Sequence, residues 1–219
     1  MTRKKPLITA PLSFESRLYS QGYVLVGGVD EVGRGAVAGP VVAAVVILPQ
    51  GLMIPGVRDS KKLSEKARSQ LAGEIKKAAL DFGIGWARAE MVDSKGIVAA
   101  TQHAMDCALS DLKESLADSR CALLIDGRPM PELEKRLHSM AHVEFIVKGD
   151  ALSHSIAAAS ILAKVERDNY MSEWREMYPQ YGFEKHKGYG TAAHIAAIRE
   201  HGSCILHRQS FLKKIKEVG

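Results

Sequence analysis

Apolar residues recur along the chain at two spacings, and the switches between those spacings mark out its elements. The run YVLVGGVD (residues 23–30) is apolar and rich in strand formers until it reaches a glycine-rich stretch, and VVAAVVIL (41–48) is a second such run, closed by Pro49. Both read as strands, neighbours and antiparallel, and FGIGWARAE (82–90) supplies a third strand for the same sheet. Ser64 is placed to cap a helix that carries Leu71, Ile75, Ala78 and Ala79 at helical spacing and stops at Gly83. From Ser94 to Ala117 the helical period is stronger, with Ile97, Thr101, Ala104, Ala108, Leu112 and Leu116 along one face.

CALLID (121–126) then reads as a short strand that delivers Asp126 at its carboxyl end, residues 131–139 as a short helix, and VEFIVKGD (143–150) as a strand ending in Asp150. SIAAASILAKV (155–165) is apolar nearly all round, the pattern of a helix buried on several sides. Past Pro179, helices over 191–200 and 208–217 follow a basic, glycine-containing loop, GFEKHKGYGT. Strands first, then alternating strand and helix, then helices: the order predicts an α/β core with a small C-terminal helical extension. The expected division is an N-terminal extension over 1–21, a core over 22–178 and a helical region over 179–219 packed on that core.

Composition changes this picture little. Of 219 residues, 46% are hydrophobic and 25% charged, the usage of an ordinary globule. Thirty basic residues against 25 acidic ones give a net charge of +5, a mild bias toward polyanions that a solvated basic surface would equally produce. Cys107, Cys121 and Cys204 are odd in number and widely spaced, which fits neither a disulfide framework nor a zinc knuckle and points to a reducing cytoplasm. MTRKKPLITAP lacks the apolar stretch of a signal peptide, and the run from Ala36 to Leu48 is too short to span a bilayer and contains Gly39-Pro40. No targeting or membrane segment is expected.

The acids carry the candidate chemistry. Asp30 and Glu31 stand directly before a loop holding Gly33, Gly35 and Gly39, where an anion-binding loop would not place carboxylates unless a cation sat between them. Asp126 and Asp150 end two further predicted strands, so four carboxylates are aimed at one rim of a sheet. Hard divalent cations such as Mg²⁺ or Mn²⁺ take oxygen ligands of this kind together with phosphate oxygens, and support in-line phosphoryl displacement. A lone Asp at a strand end also serves as a turn former or helix cap, which is the other reading of Asp126 and Asp150 taken singly. Adjacent acids beside Gly33 cannot both be turn formers. Asp59, Asp93 and Asp168 sit in or beside predicted helices, and Asp168 reads as a surface or capping acid.

GRGAVAG lacks the spacing of a dinucleotide-binding turn and the Lys-Ser/Thr ending of a phosphate loop. Gly33 and Gly35 would instead let the backbone approach a ligand closely, with Arg34 at hand for a phosphate. In DSKKLSEK (59–66), Lys61 and Lys62 precede a helix and reach for phosphates or form a solvated turn. EKHKGYGT (184–191) interleaves Lys185, His186 and Lys187 with Tyr189, a sugar or base contact or else a core tyrosine.

Taken in order, GVDEVGRGAVAGPVVAAVVI, DSKKLSEK, LLIDG, VKGD, SIAAASILAKVERD and YPQYGFEKHKGYGTAAH resemble bacterial ribonuclease HII from about residue 22 to 212. The resemblance implies a ribonuclease H-like mixed sheet flanked by helices. It also implies a monomeric endonuclease that uses Mg²⁺ or Mn²⁺ and acts on RNA/DNA hybrids and on duplex DNA containing single ribonucleotides. By position, the family's metal-binding and catalytic acids fall on Asp30, Glu31, Asp126 and Asp150, its 2′-hydroxyl-contacting loop on Gly33, Arg34 and Gly35, and its substrate-sensing tyrosine on Tyr189. The related ribonuclease HIII typically has a lysine at the position of Arg34. Two other readings share these residues: a DNA nuclease of resolvase or transposase type, which would not need a 2′-hydroxyl, and a non-catalytic nucleic-acid module, in which four intact acids would only weaken binding.

Overall fold

The computed structural model describes residues 8–112, 120–138 and 141–216. Among the described residues one five-stranded sheet runs in the order β3-β2-β1-β4-β5, with β1 Leu25–Val32, β2 Val41–Ile47, β3 Asp81–Ala87, β4 Cys121–Asp126 and β5 His142–Ile146. β1 pairs antiparallel with β2, and β2 with β3, as the short connection and continuous apolar runs predict. β4 lies parallel to β1, and β5 parallel to β4, which makes the sheet mixed.

Every residue of β2 is buried, because helices cover the sheet on both faces; this is why its sequence is continuously apolar rather than alternating. On one face α3, Ala89–Ser110, packs Ala100, Ala104, Met105 and Ala108 on Val29, Val45, Leu123 and Ile125. On the other, α6, His154–Glu173, and α2, Glu65–Ala78, bury Ala158, Ile161, Leu162 and Ile75 against Ala44 and Val46. Ser64 caps α2 by accepting a hydrogen bond from the Ala67 amide.

Three expectations need correction. The second helix stops at Ala78, and Gly83 belongs to β3. A side chain at Gly83 or Gly85 would lie 2.0 Å from the carbonyl oxygen of Ala108 or 1.9 Å from that of Ala104, so these glycines admit the backbone of α3 onto the strand. α3 starts at Ala89, ahead of Ser94, with a break at Gly96 (φ 82°), while Leu116 and Ala117 lie outside the described residues. β5 ends at Ile146; Asp150 sits in α5, Gly149–Leu152, after a left-handed turn at Lys148.

The remaining elements brace this core. α1, Ser13–Ser20, sends Glu15 into the interior, where one carboxylate oxygen accepts from the Ser155 amide (2.8 Å) and from the hydroxyls of Ser153 and Ser155 (2.6 and 2.7 Å) at the start of α6. α4, Pro131–Leu137, links β4 to β5. α7, Phe183–His186, α8, Ala192–His201, and α9, Gln209–Lys216, follow α6, and Phe183, Ile198, Leu206 and Leu212 pack with Val37 and Met171. Aromatic rings run unbroken along this seam from Trp86 through Tyr170, Trp174, Tyr178 and Tyr181 to Phe183, with successive centroids 5.5, 6.0, 5.8, 6.2 and 5.4 Å apart. Beneath it, His194 and His207 share a hydrogen bond between their Nε2 atoms at 3.1 Å. Among the described residues no helix is long and apolar enough to cross a membrane.

The close approach of α6 to β1 depends on Gly28, where an added Cβ would lie 2.0 Å from the carbonyl carbon of Ser155 and 2.2 Å from the amide nitrogen of Ile156. Gly28→Ala is expected to destabilise the protein by about 1–3 kcal/mol, the usual cost of overpacking, measured by chemical denaturation; an unchanged midpoint would refute the contact.

Burial holds the imidazoles of His194 and His207 down at about 4. In the unfolded chain each titrates near its ordinary value of about 6.5. Between these values the unfolded chain takes up protons that the folded one refuses, so this part of the stability is complete above the unfolded value and is lost as pH falls toward the folded one. The thermal midpoint should therefore drop less between pH 7 and pH 5 in His194→Gln than in the parent, and an equal drop would exclude the pair as its cause.

Candidate active site

β1 and β4 are in register with Val29 opposite Ile125, so Asp30 and Asp126 are the next residues on two adjacent parallel strands. Asp30 lies inside β1 rather than at its end, 5% exposed, and its Oδ1 accepts from the Glu31 amide at 2.7 Å. Asp126 closes β4, and its Oδ1 accepts from the Gly149 amide at 2.6 Å. That bond fixes the first turn of α5 and with it Asp150. Two strands and one helical turn, rather than three strand ends, thus bring the acids together.

Their charges act on one another. Burial, followed by the charges of Glu31 and Asp126, lifts the Asp30 carboxyl well above the usual carboxylate range, with the Ser160 hydroxyl pulling the other way. Burial also raises Glu31, against the opposing guanidinium of Arg34, whose Nη1 lies 3.2 Å from Glu31 Oε1, while Asp126 adds to the rise. Asp150 is raised by burial and by Asp59 and Asp126, and is partly relieved by Lys61, whose Nζ stands 3.7 Å from Asp150 Oδ2. Burial works against the charge on Lys61, yet Asp150, Asp30, Asp59 and Asp126 together hold its ammonium above the ordinary lysine value. The donor set is all oxygen and short of counter-charge, which is what a hard divalent cation relieves. Among the described residues no three His, Cys, Asp or Glu side chains are gathered tightly enough to chelate an ion as they stand.

The glycine loop lies next to these acids in the chain. Gly33 has φ 93°, and an added Cβ would lie 2.3 Å from Arg167 Nε and 2.7 Å from the Pro40 carbonyl oxygen, so this position admits only glycine. A Cβ at Gly35 would meet nothing within 4 Å, which leaves that face of the loop open to a ligand. Tyr189 is half-buried, its ring 5.3 Å from Arg167 Cζ and 5.5 Å from Lys164 Nζ. Its amide donates to His186 O, and its carbonyl accepts from the Thr191 amide and faces His194 Nδ1 at 2.9 Å.

The lysines divide. Lys61 faces the acids, and Lys62 pairs with Asp59 at 3.5 Å in the exposed turn. Lys187 is turned inward: its side chain is 12% exposed, and its ammonium donates to Ser172 Oγ at 2.6 Å and approaches Glu65 at 3.5 Å. It braces its loop instead of lying open to a phosphate. Lys185 is exposed.

Several contributors escape a reading of the sequence. Asp59 caps the turn at Ser60–Lys62 by accepting from the Lys61 amide, and it also bears on Asp150. Ser60 Oγ meets Ser160 Oγ at 3.0 Å and so ties that turn to the helix beside Asp30. Asp168 is not a surface acid: it is 4% exposed and pairs with Lys164 at 2.8 Å and Arg68 at 3.6 Å. Asp93 holds the start of α9 through the amides of Gln209 and Ser210. The signal for Asp168 was the apolar periodicity of its own helix, which continues past Val165 and turns Arg167 and Asp168 inward.

The chain resembles known proteins along nearly its whole length. A family model described as Ribonuclease HII matches residues 27–214. A ribonuclease HII of Ruminiclostridium cellulolyticum is 50% identical over 206 residues, covering 94% of this chain and 77% of the relative, and one of Syntrophotalea carbinolica is 48% identical, covering 92% of each. Among solved structures, the ribonuclease H2 of Pyrococcus horikoshii OT3 superimposes with a TM-score of 0.70 at 24% identity, over 88% of this chain and 97% of that one. The ribonuclease HII of Archaeoglobus fulgidus, solved in complex with PCNA, gives 0.68 at 27% identity, over 84% and 94%. The mixed sheet with helices on both faces is thus the ribonuclease H-like fold, and the match across 27–214, which takes in Asp30, Glu31, Asp126 and Asp150, places this chain in the ribonuclease HII family.

Proposed function

We propose that this chain is a metal-dependent endoribonuclease that hydrolyses the RNA strand of RNA/DNA hybrids and cuts on the 5′ side of single ribonucleotides embedded in duplex DNA. It leaves a 3′-hydroxyl and a 5′-phosphate, and it acts as a monomer. Family membership supports the reaction class. The observation that carries the residue assignment is geometric: adjacent parallel strands place Asp30 and Asp126 side by side, the Gly149 amide ties Asp150 to Asp126, and burial first and neighbouring carboxylates second raise Asp30, Glu31 and Asp150 beside the glycine loop.

In this reading the four acids hold Mg²⁺ or Mn²⁺. When bound, the metal would activate a water and steady the leaving oxygen. The chain's own groups do the rest. Asp126 is oriented by the Gly149 amide and Asp30 by the Glu31 amide, so each carboxylate is anchored through its Oδ1 while the cation draws the acids together. Lys61, held beside Asp150, offers its charge to a phosphate next to the cut, and the exposed Lys62 adds to the same field. The backbone of Gly33, Arg34 and Gly35 reads the 2′-hydroxyl, a group that is both donor and acceptor and that tells a ribonucleotide from its deoxy neighbour. Tyr189 packs on the same sugar. Because the attacking oxygen comes from water and not from the 2′-hydroxyl, no cyclic phosphate forms.

The deciding assay is cleavage of a duplex with one ribonucleotide in an otherwise all-DNA strand, with the ends analysed. A cut at that residue giving a 3′-hydroxyl supports the reading; a cyclic phosphate, or equally fast cutting of the all-deoxy duplex, refutes it. Asp126→Asn should keep the fold, since the amide oxygen can still accept from Gly149, but lose activity by at least about 100-fold, as when a group placed on developing charge is removed. Near-parental turnover would take Asp126 out of the site.

Chelation by EDTA should abolish cleavage, with recovery in excess Mg²⁺. Independently of activity, millimolar Mg²⁺ should raise the thermal midpoint by relieving the crowded acids, an effect lost in Asp126→Asn. A midpoint indifferent to Mg²⁺ and Mn²⁺, with activity surviving exhaustive chelation, would sink the metal assignment.

A further inference from the structure

Among the described residues, Arg167 and Arg208 are the two largest side chains that are fully buried, each 0% exposed. A guanidinium removed from water normally requires a carboxylate partner. Among the described residues neither arginine has one within hydrogen-bonding or ion-pairing distance; the neighbouring acids are engaged elsewhere, Asp168 by Lys164 and Arg68, and Asp93, which acts on Arg208 only at longer range, by the Gln209 and Ser210 amides and the Ser210 hydroxyl. Both direct their donors to backbone carbonyls. Arg167 donates from Nε to Pro40 O (2.8 Å), from Nη2 to Ala38 O (3.0 Å) and from Nη1 to Lys187 O (2.8 Å). Arg208 donates from Nε and Nη2 to Gly39 O (3.0 and 2.8 Å) and from Nη1 to Arg34 O (3.0 Å).

These carbonyls belong to two loops, 33–40 and 187–189. The loops also bond directly, since the amides of Val37 and Ala38 both donate to Gly188 O. Gly188, with φ 82°, sits so close that an added Cβ would lie 2.4 Å from Ala38 O. From the other side, the Gly39 amide donates to Leu206 O, and the Arg208 amide to Val37 O. Arg167 touches every part of this assembly: Gly33 lies against its Nε, the Tyr189 ring lies over its Cζ, and its Nη1 holds the residue two before that tyrosine. Arg208 fixes the carbonyl of Arg34 itself. One rigid, planar cation thus sets the spacing between the glycine loop and the tyrosine, and a second sets the height of the glycine loop.

We propose that Arg167 and Arg208 are positioning residues for ribose selection. By clamping Gly33–Gly35 and Tyr189 at a fixed separation they determine how sharply a single 2′-hydroxyl is told from a hydrogen. The proposal rests on the assignment of those residues to the sugar contact. It predicts substrate dependence. At a single embedded ribonucleotide one 2′-hydroxyl supplies all the discrimination, whereas in a hybrid the neighbouring 2′-hydroxyls and the A-like groove give other means of seating the strand.

The test compares the parent with Arg208→Lys and Arg167→Lys, which keep the charge but cannot reach several carbonyls from one ammonium. Single-turnover rates are measured on the single-ribonucleotide duplex, on an RNA/DNA hybrid of the same sequence and on the all-deoxy duplex. The lysine variants should lose about tenfold more on the single-ribonucleotide duplex than on the hybrid, in line with the cost of misplacing a reacting geometry. Equal losses on both substrates, or none, would overturn the positioning role, because a merely weakened fold lowers both alike. If the parent itself cuts all-deoxy DNA as fast as the ribonucleotide duplex, the sugar assignment fails and the proposal falls with it; if the parent is selective and the losses are equal, only the arginine assignment fails. Amide hydrogen exchange of the parent gives a check that needs no variant. The amides of Val37, Ala38 and Gly39 should be protected to the level of the β1–β2 ladder, and exchange at the rate of a surface loop would overturn the clamp.

Discussion

The contact on which the arrangement depends is between backbones: β1 at Gly28 lies directly against the first turn of α6. With the helix pressed onto the strand at that point, each later residue of α6 meets a fixed part of the molecule. Ser160 comes beside Asp30, Lys164 and Arg167 under Tyr189, and Met171 under Gly39. The same helix start is gripped by Glu15 from α1, and the turn just before it carries Asp150. One helix thus acts as a ruler along which the acids and the two loops beyond them are spaced. This is why its apolar character extends nearly all round: it has sheet, turn and C-terminal helices on different sides.

Two kinds of incompletely compensated charge sit at opposite ends of that ruler. Near its start, carboxylates crowd one another; toward its end, two guanidinium groups are buried among carbonyl oxygens. A carbonyl carries a dipole and not a charge, and Arg208 is left at about 9, far below its ordinary value, with burial the main cause, the nearby Arg167 adding to it, and Tyr189 and Asp93 opposing it only in part. Both ends are electrostatically expensive when judged singly, and local rules of this kind tend to be broken where geometry serves a purpose other than stability.

Much of this was legible from the residues. The antiparallel run of strands, the capping by Ser64, the buried character of 155–165 and the later helices follow from period and punctuation alone, because each depends on neighbours within a few positions. Asp30 and Glu31 stand out because two adjacent acids before Gly33 cannot both be turn formers, and Asp126 gains weight only beside them, since a lone strand-end Asp is commonly a turn former or a cap. For Asp150 the sequence gives the wrong support, since VKGD continues a strand pattern and only the left-handed turn at Lys148 reveals that the chain has already left the sheet. Gly83 was misread because a glycine after a helical stretch looks like a stop, whereas its role is set by Ala108, which lies far along the chain. Arg167 and Asp168 are marked only by the continuing period of α6, whereas the inward turn of Lys187 and the burial of Arg208 are tertiary facts: a charged residue in a polar-looking segment carries no local mark of being enclosed.

The ring sequence from Trp86 to Phe183 has a practical side. The chain has two tryptophans, Trp86 and Trp174, and both belong to it, separated by Tyr170. Indole emission from the whole molecule therefore originates in one seam, where β3 and the end of α6 meet the C-terminal helices, and none of it comes from the carboxylate rim. Intrinsic fluorescence is for this protein a local spectroscopic probe of whether that seam is closed, and the acids are watched only by methods that do not depend on light from tryptophan.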